Sequence, residues 1–97
     1  MLNGVQLIGS AREVETKTYP DGAVITHFYV DYPRATRTDS FLCRLIQRKG
    51  AGLSQAIIPN EGDVVAIAGN LTTLGTEGRR VCIDVRGISR PESWGGK

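Results

Sequence analysis

Apolar and polar residues alternate along most of this chain, and Gly, Pro and Asp punctuate the alternation into five segments. The first, "VQLIGSAREVETKTY" (5–19), opens with an apolar run and turns mainly polar after Gly9. It predicts one long strand, bent or bulged near Gly9 and Ser10. "YPDGA" (19–23) is a turn, with Pro20 presetting φ and Asp21-Gly22 supplying the left-handed positions. "AVITHFYVDY" (23–32) predicts a second strand, with Val24, Thr26, Phe28 and Val30 on one side and Ile25, His27, Tyr29 and Asp31 on the other. In "FLCRLIQRK" (41–49) the same period groups Phe41, Cys43 and Leu45, leaving Leu42, Arg44, Ile46 and Arg48 on a wetter face.

The period then changes. Leu53, Ala56 and Ile57 fall at i, i+3 and i+4, which predicts a short amphipathic helix stopped by Pro59. "DVVAIAGNLTT" (63–73) and "RRVCIDVRGIS" (79–89) predict a fourth and a fifth strand joined by the turn "LGTEG". Five strands with one short helix between the third and fourth is the order of an all-β, five-stranded OB-fold barrel. The expected organisation is one domain over residues 1–90 and a flexible C-terminal tail over 91–97 that carries Trp94.

Composition narrows the function. With 97 residues, 40% apolar and 23% charged, the chain has the make-up of an ordinary globular domain with one modest core. No apolar run reaches membrane-spanning length and the start lacks a basic n-region, so the expected location is the cytoplasm. Cys43 and Cys82 lie within apolar strands and are expected reduced and buried. Histidine occurs once, as His27 in mid-strand, and no nucleophile elbow, phosphate-binding loop or Cys/His cluster frames a reaction. A binding module is therefore expected, with no catalytic residue, metal or cofactor.

The net charge of +2 is small, but nine of the twelve basic residues are arginine, which forks onto phosphate and stacks on flat rings. Arg34 and Arg37 occupy the loop after strand 2, and Arg44, Arg48 and Lys49 follow along strand 3. Arg79 and Arg80 begin strand 5, and Arg12 lies on strand 1. In an OB-fold the strand 2–3 face and the loops beside it meet on one surface, where these cations would displace counterions from a nucleic-acid strand. Tyr29, Tyr32 and Phe41 are the rings available for base stacking. The reading demands a continuous positive track; arginines locked to carboxylates would remove it.

Four stretches carry a resemblance: "MLNGVQLIG", "YPDGAVITHFYV", "FLCRL" and "GDVVAIAGNLTT". In order and spacing they resemble the bacterial single-stranded DNA-binding protein family over residues 1–88. The resemblance implies an OB-fold that joins into a homo-oligomer, dimer or tetramer, with strand 1 around Leu2 to Ile8 between subunits. It further implies binding of single-stranded DNA, with RNA as an alternative, and contacts with replication or repair proteins. Gap-free matching puts Leu42, Arg44 and Arg48 at groove positions, whereas a one-residue shift would put Phe41 at the first. Primosomal replication protein B, a dimeric relative that helps load helicases, is the alternative within this class. From another class, a scaffold subunit that binds protein and not DNA would be marked by arginines paired with Glu13, Glu15 or Asp84.

Overall fold

In the computed structural model, which describes residues 4–48, 58–75, 78 and 80–91, five strands close into a barrel in the order β1-β2-β3-β5-β4. They are β1 (Gly4–Thr18), β2 (Val24–Pro33), β3 (Thr38–Gln47), β4 (Val64–Leu74) and β5 (Arg80–Ser89). Neighbours run antiparallel except β3 and β5, whose short parallel pairing of Cys43 with Ile83 and Arg44 with Asp84 closes the cylinder. Closure removes the open edges on which another chain could pair. Among the described residues no helix is long and apolar enough to cross a membrane.

The predicted alternation is the one that builds the core. Phe28 and Val30 of β2, Cys43 and Leu45 of β3, Val65 and Ile67 of β4, and Ile83 and Val85 of β5 are all buried inside the barrel. Fully burying a side chain such as Phe28 or Leu45 contributes about 1.5–3 kcal/mol. Thr26 sits among them and satisfies its hydroxyl against Thr16 Oγ1 at 3.1 Å. Cys43 and Cys82 are free and buried, and burial pushes the Cys43 thiol up to about 12.

β1 serves two partners in succession, pairing with β4 over Gly4–Ser10 and with β2 over Ser10–Thr18. Gly9 stands at the change-over, where a Cβ would lie 2.4 Å from the Asp31 carbonyl oxygen. The bulge expected at Gly9-Ser10 lies further on, between Arg12 and Glu15, with Glu13 at φ 56°. Gly9 supplies close approach, and the extra residue is absorbed where a carboxylate can hold it. Glu61 accepts from the amides of Glu13 (3.0 Å) and Val14 (2.5 Å).

The turn at 19–23 forms as its residues dictate. The Gly22 amide donates to Tyr19 O at 2.9 Å, the Ala23 amide donates to Asp21 Oδ1 at 3.0 Å, and Gly22 takes φ 90°. The helix expected around Leu53, Ala56 and Ile57 lies outside the described residues, and among those that are described there is no helix. Trp94 also lies outside them.

Candidate nucleic-acid interface

Register places three rows of side chains on the outer face of β1, β2 and β3. Lys17, Ile25 and Ile46 form one row, and Arg12, Tyr29 and Leu42 another. Between them Glu15, His27, Arg44 and Asp84 form a row that crosses four strands, reaching β5 through the parallel pairing. A groove of about 320 Å³ opens on this face, lined by Glu15, His27, Tyr29 and Leu42 together with Leu74 and Arg80 of the β4–β5 hairpin. The ladder between β2 and β3 runs without a shift from Val24–Gln47 to Pro33–Thr38. Leu42 and Arg44 therefore occupy the outer face, as the gap-free match expects, and Phe41 takes the opposite phase.

The expected ring residues divide between two sides. Tyr29 belongs to the grooved outer face, with the Arg12 guanidinium 5.1 Å from its ring centre. That cation covers one side of the ring. Tyr32 and Phe41 have the parity of Val30 and Cys43 on the β2–β3 ribbon, but Tyr32 lies beyond the last β1–β2 pair at Asp31 and Phe41 lies outside the β3–β5 pairing of Cys43 and Arg44. They are therefore exposed, at 46% and 39%. Arg34 and Arg37 sit at the tip of this ribbon, where the Arg34 amide donates to Arg37 O at 2.7 Å.

Most of the arginines are paired. Arg12 donates to Asp31 through Nε (2.8 Å) and Nη2 (3.2 Å), contacts Glu13, and donates to Ser40 Oγ at 3.1 Å. Ser40 donates in turn to Asp31 at 2.6 Å. The Arg12 and Ser40 hydrogen bonds hold the Asp31 carboxyl below the usual carboxylate range. Arg34 and Arg37 share Asp39, at 3.3 and 2.9 Å. Arg44 and Arg86 share Asp84, at 3.6 and 3.9 Å, and the Nε of Arg44 is buried without a hydrogen-bond acceptor. Lys17, Arg48 and Arg80 have no carboxylate partner among the described residues. Lys49 and Arg79 lie outside the described residues.

The unbroken run of free guanidinium groups expected from the sequence is thus reduced to a partly compensated surface. The strand register that gathers the cations gathers carboxylates with them, Asp31 and Asp84 on the grooved face and Asp39 on the side of Tyr32. Two residues not singled out for binding, His27 and Lys17, lie on the grooved face. Parity alone put His27 on the side of Arg44, and that signal was available in the sequence. The His27 imidazole is held below the usual histidine value, first by partial burial and then by Arg44, Arg80 and Lys17, against Glu15.

A closed five-stranded barrel with this strand order and a grooved β2–β3 face is an OB-fold. Among solved structures it is similar to PriB from Ralstonia solanacearum, at 19% identity and TM-score 0.66, over 94% of this chain and 99% of that one. The dimeric N-terminal domain of PriB from Thermoanaerobacter tencongensis is similar at 23% identity and TM-score 0.66, over 90% of this chain and 93% of that one. The second single-stranded DNA-binding protein of Mycobacterium smegmatis, SSBb, is similar at 16% identity and TM-score 0.68, over 94% and 90%. No protein-family model matches the chain, and no curated protein matches it in sequence.

Proposed function

We propose that the protein binds single-stranded DNA without marked sequence preference, protecting or organising it during replication, recombination or repair. The observation that carries this reading is one groove on the outer β2–β3 face lined by Arg80 and Tyr29, where Lys17 and Arg44 act on His27 from close by and outnumber, with Arg80, the carboxylates Glu13 and Glu15. Phosphate needs cations and bases need rings, and both kinds of group line the same cleft. The OB-fold neighbours named for single-stranded DNA binding support it. Among the described residues that line the groove none is a nucleophile set beside a base, and the reading is of a binding protein and not of an enzyme. A homo-oligomer fits the largely apolar cavity of about 510 Å³ on β1, β4 and β5, lined by Ile8, Ala66, Ala68 and Ile88. Fluorescence titration with oligo-dT, oligo-U and a duplex of equal length tests the reading, with light scattering for mass. It expects single strands to bind more tightly than the duplex, and equal affinity for all three would overturn it.

The ion pairs favour a second reading. Arg12 meets Glu13 and Arg44 meets Asp84, the pairing expected of a scaffold subunit that binds protein. A replication accessory factor like PriB would combine the two roles. Under the scaffold reading oligo-dT does not bind and a protein partner binds with little dependence on salt.

A further inference from the structure

His27 stands at the middle of the grooved face, and every strand packed beside it presents a charge. β1 offers Glu15 opposite it and Lys17 in the next row, with Glu13 further along the groove. β3 offers Arg44, and β5 offers Asp84 behind Arg44 and Arg80 at the groove wall. Tyr29 is its neighbour on β2. Arg44 and Arg86 divide the charge of Asp84. Three cations therefore act on the imidazole, and of the carboxylates facing it Glu15 alone acts in the opposite sense.

We propose that His27 takes up a proton as a phosphate of the bound strand enters this groove, and then donates to that phosphate as an imidazolium. This rests on the single-strand reading above and adds to it a link between binding and pH. In the free protein the surrounding cations and partial burial favour the neutral ring. A phosphate reverses that balance: its charge offsets Arg44, Arg80 and Lys17, and its oxygens only accept. A neutral imidazole presents one donor, whereas the protonated ring presents two. The proton comes from solvent, no bond is made or broken in the strand, and release of the strand returns the proton.

The test is a titration of wild type and His27→Gln with oligo-dT at constant ionic strength, from about pH 5.5 to about pH 8.5, where histidine is the side chain that titrates. Wild-type affinity should fall severalfold as pH rises, by no more than about tenfold per pH unit for one linked proton. His27→Gln should bind with a flat profile and should match wild type best at the alkaline end. The shift of the His27 ring proton by NMR should move its titration to higher pH when oligo-dT is added. An equal pH slope in His27→Gln, or a ring titration that oligo-dT leaves in place, would overturn the proton link. A wild-type affinity that is measurable but flat with pH sinks the link and spares the single-strand reading. Absence of oligo-dT binding at every pH removes both.

Discussion

Neutralising two particular arginines should change how binding responds to salt, by an amount that the ion pairs set. Lys17, Arg48 and Arg80 form no ion pair with a described carboxylate, while Arg34 with Arg37 and Arg44 with Arg86 each share one aspartate. Each shared trio keeps one net positive charge, and Arg12 contributes none against Asp31 and Glu13. The described residues can then neutralise about five phosphates, which sets a slope of about −3.5 in log affinity against log salt for a single strand. Between about 50 and about 200 mM salt, oligo-dT affinity should fall about 100-fold. Arg48→Gln/Arg80→Gln leaves about three charges, a slope of about −2 and a fall of about 20-fold over the same range. Arg90→Gln is the control, because Asp63 holds that guanidinium at 3.0 Å, and its slope should stay at the wild-type value. The assay is fluorescence titration at four or more salt concentrations. A double variant whose slope equals that of wild type would refute the assignment of the strand to this face, however well either protein binds.

Four further outcomes are expected. Tyr29→Ala should weaken oligo-dT binding by about 1–3 kcal/mol if a base stacks in the groove, while Tyr32→Ala, on the other side of the ribbon, should not; the reverse result would move the path to that side. Glu13→Gly should be neutral or stabilising by up to about 1 kcal/mol in urea denaturation, since it relieves a left-handed residue and gives up only an exposed ion pair. Gly69→Ala should destabilise by about 1–3 kcal/mol, because its Cβ would lie 2.2 Å from the Asp84 carbonyl oxygen, whereas Gly87→Ala meets nothing within 4 Å and should melt like wild type. Asp31 is held below its usual 3.8 by Arg12 and Ser40, so the unfolded chain takes up that proton first as pH falls. Stability from this site is complete above about pH 4 and is lost below it, and Asp31→Asn should flatten that acid limb in denaturation followed across pH.

Local rules account for much of the molecule. The alternation in "VITHFYV" put Phe28 and Val30 inside and His27 and Tyr29 outside, and the barrel keeps both assignments. The turn at Tyr19 to Ala23 forms from its own Pro-Asp-Gly residues. The bulge of β1 was legible as a bulge and misplaced by a few residues. Its position depends on Glu61, which approaches Glu13 and Val14 only after the chain has passed through three strands. Tyr29 and Tyr32 both read as rings available for stacking, and three residues along a strand place them on opposite sides.

What the sequence determined by itself is what short-range sterics and periodicity control: five strands, their inner faces apart from Phe41, the turn at 19–23, and a surplus of arginine over lysine. What the tertiary structure alone decided is which charges meet. Arg44 reaches Asp84 only because β3 and β5 run parallel side by side, and Arg12 reaches Asp31 only in the β1–β2 register that precedes the bulge. Coulomb interactions fall with distance and are set by every strand that closes the barrel. A list of basic residues therefore counts cations, and only the assembled sheet shows how many remain for a phosphate.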